Sequence, residues 1–364
     1  MASTTQINNW DGENALPPST GAYMDVTSPI DGAVIAKVAL SNAADVHAAV
    51  ARAKEAFPQW SGRTIKARAA TMLRFHQLLN EHAEELAAIV VLENGKNHGE
   101  ALASIAKGNE TVEYACSLPQ TVQGKKLEVS RGVACEDSRE PLGVVACVVP
   151  FNFPLMVPMW TTPIALTLGN CVILKPSEKV PLTMNRVAEL MAVAGIPKGV
   201  FQLVHGTKEV VETLCDHQDV RALTFVGSSP VAEAVATRCR NTHKKVISLG
   251  GAKNHLVLLP DAEPKSAAAD IVASFAGAAG QRCMAASVLL LVGNEGSSAD
   301  GAVLKAVVEK TSALKAGTAA GQIGPVIDAA SQKRILAYID SAVEKDGAEV
   351  LVDGRPWATG AGGG

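Results

Sequence analysis

The chain has 364 residues, of which 48% are apolar and 19% charged, with a formal net charge of −3. This length and composition fit two or three domains with sizeable cores and exclude a chain disordered throughout. The near-neutral balance carries no electrostatic footprint of a nucleic-acid or anionic-membrane partner.

The opening Met1-Ala2-Ser3-Thr4-Thr5 has no apolar h-region, and no arginine precedes Arg52, so neither a secretory signal nor a mitochondrial presequence is expected and cytoplasmic placement is the default. After this polar leader, residues 26–38 read as a hairpin turned at Asp31-Gly32. Ser41 is the expected cap of a helix with the apolar stripe Val46, Val50, Ala53 and Phe57, ending at Pro58. A second stripe runs Ile65, Ala69, Met72, His76, Leu79. A third helix through Leu86 and Val90 stops at Asn94-Gly95, and another spans 100–116. Residues 123–141 turn polar with short extended pieces, as in an excursion arm or a linker.

From Val144 the pattern alternates. Strands are expected at 144–149, 171–174, 200–204, 222–226, 246–249 and 256–259, with helices such as 182–194 and 231–240 between most of them. Apolar strands separated by helices imply parallel βαβ units covered on both faces, an α/β fold. The Gly250-Gly251 switch, followed by a helix near 265–278, marks the start of a second α/β unit. The apolar run 142–174 is broken by Pro150, Pro154, Pro158 and Pro163, with Asn152 in the middle, so it reads as a buried strand, a sharp loop and a helix rather than a membrane span. The Gly-rich residues 359–364 read as an unfinished end.

Four segments carry candidate chemistry. Pro150-Phe151-Asn152-Phe153-Pro154 closes a strand, where open α/β sheets bind ligands, and holds an amide able to donate to an oxyanion; a proline-rich turn with a capping Asn is the plainer reading. Lys175 and Glu178, three apart after the next strand, suit the hydroxyls of a ribose or a solvated turn equally. Gly227-Ser228 sits between a strand and a helix start, where small residues admit a pyrophosphate, although the segment lacks the G-x-G-x-x-G pattern. Cys283, in Gly280-Gln281-Arg282-Cys283-Met284, is a candidate nucleophile whose thiolate Arg282 would favour. The cysteines stand singly at 116, 135, 147, 171, 215, 239 and 283, with no zinc spacing. No metal site is therefore expected, a reducing compartment is implied, and the other six read as small buried hydrophobes.

In this order and combination the four segments resemble the aldehyde dehydrogenase superfamily, over nearly the whole chain from Val26 to Arg355. Ser248-Leu249-Gly250-Gly251-Ala252-Lys253-Asn254-His255, Val204-His205-Gly206, Gly324-Pro325-Val326 and the Arg-Cys-Met around Cys283 are similar to its coenzyme A-acylating methylmalonate-semialdehyde dehydrogenase branch. The resemblance implies a Rossmann-type NAD-binding domain (9–122 and 142–250), a small oligomerisation arm (123–141), and an α/β catalytic domain (251–364) that is incomplete at its C-terminus. It makes Cys283 the nucleophile and gives the oxyanion to the Asn152 amide and the Cys283 N–H. NAD falls to Phe151, Lys175, Glu178, Gly227 and Ser228, and a malonate-type carboxylate to Arg282 and Lys107. A homo-oligomer is implied for full-length relatives, and a mitochondrial setting for eukaryotic ones.

Hydrolytic members of that family carry Glu before the Leu-Gly-Gly as the base that activates water. Here that position is Ser248, whose hydroxyl is no base at neutral pH, so the acyl-enzyme is expected to await a thiol such as coenzyme A. The other readings are an inactive or NAD-binding-only relative, since family members continue beyond residue 364, and a hydrolytic dehydrogenase with a different base.

Overall fold

The computed structural model describes residues 5–293 and 298–358. The leader 1–4 and the Gly-rich stretch 359–364 singled out above lie outside the described residues. The chain forms two compact units. One gathers the chain up to Thr27 with Val34–Glu93 and Leu102–Gly250; the other gathers Ser28–Ala33, Asn94–Ala101 and the chain from Gly251 onward.

The first unit opens with short strands β1 (Gln6–Ile7), β2 (Asn9–Trp10) and β3 (Ala15–Leu16), in what the sequence presented only as a polar leader. Two-residue strands are too short to show a period of two. Strands β4 (Tyr23–Thr27) and β5 (Val34–Ala39) form the expected antiparallel hairpin, with β1 added parallel to β5. Helix α1 (Ala43–Ser61) starts one residue later than expected. Its cap is Asn42, whose side chain accepts from the Ala44 and Asp45 amides while Asp45 accepts from the Asn42 N–H. The Ser41 hydroxyl instead bonds Asn9 at 2.8 Å, in the interior. The helix also runs through Pro58, because Trp60 beyond it is fully buried and donates to Leu166 O at 3.0 Å. Helices α2 (Ile65–Glu81), α3 (Ala83–Asn94) and α4 (His98–Thr121) follow, α4 exceeding its expected length at both ends. Strands β6 (Lys125–Ser130) and β7 (Val133–Asp137) make an antiparallel hairpin exposed along its whole length.

The alternating part follows the expected pattern: β8 (Val144–Val148), α5 (Met156–Met159), α6 (Thr162–Thr167), β9 (Cys171–Lys175), α7 (Leu182–Ala194), β10 (Phe201–Leu203), α8 (Lys208–Asp216), β11 (Val220–Val226), α9 (Ser229–Asn241) and β12 (Lys245–Leu249). They build a seven-stranded sheet ordered β12-β11-β8-β9-β10-β2-β3, in which β12 to β10 are parallel and β2 and β3 antiparallel. Every residue of β8 and β9 is buried, as expected of parallel strands with both faces covered. Helix α7 cannot be capped by its own Pro181. Buried Glu93 supplies the cap, accepting from Leu182 N at 2.7 Å and from Thr183 N at 3.0 Å.

In the second unit, β13 (Asn254–Leu258) runs parallel to β14 (Ala286–Leu291), with α10 (Pro264–Ala276) between them, and α11 (Ser298–Ser312), α12 (Ala329–Asp346) and α13 (Arg355–Ala358) follow. Leu258, Ile271 and Val303 form its core. Gly95, at φ +80°, is tight here: a Cβ would press on Pro29 and Pro325. Among the described residues no helix is long and apolar enough to cross a membrane.

Candidate active site

In the first unit the chain lays down β8, β9 and β10 outward in one direction, then returns to place β11 and β12 on the other side of β8. The order reverses between β8 and β11, and such a reversal opens a crevice at the carboxyl ends of the strands. A cleft of about 150 Å³ lies there, lined by Val148, Val149, Trp160, Thr161, Phe225 and Leu249 among others.

Six of the expected site residues sit along this edge. Phe151 and Asn152, both half-buried, follow β8, and the Lys179 ammonium stands 5.6 Å from the Phe151 ring centre. Lys175 ends β9, with its side chain 6% exposed, and pairs with Glu178 at 2.9 Å. Burial pushes the Glu178 carboxyl up, but the charge and hydrogen bond of Lys175 outweigh it and hold the group below its usual range. Gly227 and Ser228 link β11 to α9. The Ser228 side chain does not cap that helix, and a Cβ on Gly227 would run into the Phe225 ring at 2.5 Å. Next to them, the Ser248 hydroxyl of β12 donates to Ala232 O at 2.7 Å. His205 follows β10, fully buried; burial, helped by the Lys175 charge, lowers its pKa to about 3, so the imidazole is neutral.

In the second unit, Cys283 is half-buried in the turn between α10 and β14, and its carbonyl accepts from Asn254 Nδ2 at 2.8 Å. Arg282 is engaged at 2.6 Å with Glu100, whose same oxygen accepts from Ala278 N–H at 2.8 Å. Lys96 is nearby. Burial lowers its pKa to about 8, with Glu100 opposing the shift and Arg282 adding to it. Glu100, Gly277, Arg282, Lys310, Lys315 and Gln322 are among the residues lining a cavity of about 720 Å³ in this unit.

Lys107 lies on α4 in the first unit, with its side chain 65% exposed and tied to Glu110 at 2.9 Å. Of the other thiols, four are buried as expected, but Cys135 on β7 is exposed and Cys116 half-buried. Burial pushes Cys147 up to about 11 and Cys171 up to about 12, while Cys215 is raised by its hydrogen bond with Cys239 and by burial. Glu100 and Asn254 carried no role in the sequence reading because their partners are distant in the chain, and Gln281 because it bonds to Pro325 and Ile327 as well as to nearby Ala278. Among the described residues no group of three or more His, Cys, Asp or Glu is placed to hold a metal.

The profile of the aldehyde dehydrogenase family matches residues 16–364. Malonate-semialdehyde dehydrogenase 1 of Geobacillus kaustophilus is 42% identical over 356 residues, 97% of this chain and 72% of that protein. A Sinorhizobium meliloti protein assigned as a methylmalonate-semialdehyde dehydrogenase, crystallised with NAD, superposes with a TM-score of 0.93 at 36% identity, over 98% of this chain and 72% of the other. The methylmalonate-semialdehyde dehydrogenase of Oceanimonas doudoroffii gives 0.92 at 36% identity, over 96% and 72%.

Proposed function

The chain belongs to the aldehyde dehydrogenase family, and from that premise we propose that it oxidises malonate or methylmalonate semialdehyde with NAD and passes the acyl group to coenzyme A. The observation that carries the acylating half is Ser248. Where hydrolytic relatives need a carboxylate base, this chain has a hydroxyl already committed to Ala232 O at 2.7 Å.

The reversal crevice suits a dinucleotide. It combines a glycine that no Cβ can replace without displacing Phe225, a helix start whose Ser228 side chain is not spent on capping, and a pair of buried Lys175 with half-buried Glu178 just past the end of β9. NAD bound there supplies the hydride acceptor. In the proposed chemistry the Cys283 thiolate adds to the aldehyde carbon, and the Asn152 amide and the Cys283 N–H are the donors for the resulting oxyanion. One such donor contributes roughly 3 kcal/mol in other enzymes. Loss of hydride leaves a thioester on Cys283. Coenzyme A, its thiol proton passed to solvent, then attacks the thioester carbonyl as the thiolate, releasing acyl-CoA and the Cys283 thiolate.

Arg282, and by the resemblance Lys107, are the proposed partners of the substrate carboxylate. The proposed domains are 9–122 with 142–250 for NAD, and 251–364 for catalysis. The hairpin in 123–141, which exposes Leu127, Val129 and Val133, is the proposed oligomerisation arm.

The test is NADH formation from malonate semialdehyde, with and without coenzyme A, beside a Cys283→Ala control. Steady NADH only with coenzyme A, absent in the control, is expected. A folded chain that binds NAD and forms no NADH would favour the binding-only reading.

A further inference from the structure

The segment before the nucleophile is strained. Ala278, Ala279 and Gly280 are all left-handed, at φ +51°, +53° and +71°. Two successive alanines in that region are unfavourable, and such a turn persists only where its surroundings over-determine it.

The surroundings are specific. One oxygen of Glu100 accepts from the Ala278 N–H at 2.8 Å and from Arg282 Nη2 at 2.6 Å, joining the two ends of the turn. The amide of Gln281 donates to Ala278 O at 3.1 Å and accepts from Ile327 N at 3.0 Å. Beyond the turn, Asn254 Nδ2 donates to Cys283 O at 2.8 Å and to Ala285 O at 3.0 Å. None of these bonds uses the Cys283 thiol or its N–H, the two groups the chemistry requires. The Arg282 guanidinium lies where a Cβ on Gly277 would stand.

We propose that Glu100 and Asn254 are positioning residues for the nucleophile, Glu100 clamping the left-handed turn from one side and Asn254 holding the Cys283 carbonyl from the other. The proposal rests on the reading of Cys283 as nucleophile. A nucleophile misplaced by about 1 Å can lose on the order of a hundredfold in rate, so a carboxylate that touches no reacting atom can still govern turnover. Arg282 is held by one nitrogen, which leaves its other donors free to face a substrate carboxylate while the clamp stays closed.

Four variants of the full chain, Asn254→Ala among them, separate positioning from simple loss of structure. Glu100→Ala removes both bonds. Glu100→Gln keeps a neutral acceptor oxygen for both bonds and removes the charge. Gly277→Ala changes neither Glu100 nor Cys283, and its backbone tolerates alanine, but it evicts the guanidinium. Two readouts are taken at matched thermal stability. The first is the NADH burst with propionaldehyde, which has no carboxylate for Arg282 to bind. The second is amide hydrogen exchange over residues 277–285.

The expected result is a burst at least tenfold slower for Glu100→Ala and Gly277→Ala, intermediate for Glu100→Gln, with the half-saturating aldehyde concentration within twofold of wild type. Exchange over 277–285 should accelerate at least tenfold, with the rest of the chain unchanged. Asn254→Ala should slow the burst and deprotect 283–285 alone. Unchanged exchange in these variants overturns the clamp, as does a burst within twofold of wild type. If wild type itself shows no burst that Cys283→Ala abolishes, the functional reading fails instead, and the exchange measurement still decides the clamp.

Discussion

Glu93 caps α7 from 89 residues away, and it does so while fully buried. Three donors converge on it: the amides of Leu182 and Thr183 and the Thr183 hydroxyl. Burial nevertheless dominates these hydrogen bonds, raising its pKa from 4.5 to about 7. The folded state therefore holds this proton to a higher pH than the unfolded chain does. Its contribution to stability is fully present below pH 4.5 and is lost as pH rises through 7. The 4.5-to-7 shift corresponds to ~3.4 kcal/mol in all, of which ~2.5 kcal/mol falls between pH 5 and pH 8. Glu93→Gln removes the titration but also turns an NH₂ toward one of the donors, a loss that does not vary with pH. Urea unfolding of wild type and variant at pH 5 and pH 8 isolates the titrating part. The variant's deficit should shrink by about 2.5 kcal/mol on going from pH 5 to pH 8. A deficit that is constant, or that grows with pH, would refute the burial argument and show that the three hydrogen bonds win.

Other consequences are equally direct. Ser248→Glu places a carboxylate at the position of the hydrolytic base, so NADH formation without coenzyme A should rise by about tenfold or more, read at 340 nm; no rise would count against the explanation built on Ser248. Ala279→Gly relieves one left-handed alanine, worth roughly 1–2 kcal/mol, less the ~0.5–1 kcal/mol lost to glycine's freer unfolded chain. The urea midpoint should therefore rise or hold, and a clear fall would mean the turn is not strained. Lys107 is 65% exposed in its pair with Glu110, so Lys107→Ala should change stability by less than about 0.5 kcal/mol. Any rise in KM for a malonate-type semialdehyde, with none for propionaldehyde, would then report the substrate contact proposed for it.

The parallel strands of the seven-stranded sheet and β13 were legible in the sequence because each expected run ends within two residues of a Pro or Gly. Strand β14, also parallel, was not, since no such break precedes Ala286. The helix at 182–194 was legible to the residue, since Pro181 precedes it and Gly195, at φ +98°, ends it. The cap of α1 was not legible, because Ser41 and Asn42 are both good caps. Their order is decided by Asn9, which takes the Ser41 hydroxyl into the core. Pro58 misled for a similar reason, since burial of Trp60 outweighs the one backbone bond the proline removes. At the candidate site, residues on strand ends announced themselves by local pattern: Asn152, Lys175, Gly227. Glu93 and Glu100 gave no such signal. Their partners lie 89–90 and 178–182 residues away, and nothing in a local window distinguishes either from a surface glutamate.

The most direct measurement is mass analysis of the Cys283 peptide after the chain is incubated with NAD and malonate semialdehyde but no coenzyme A. The account predicts an acyl thioester on Cys283 that persists in water and disappears, as an acyl-CoA forms, when coenzyme A is added. No adduct on Cys283, or one that water clears as fast as coenzyme A does, would contradict it.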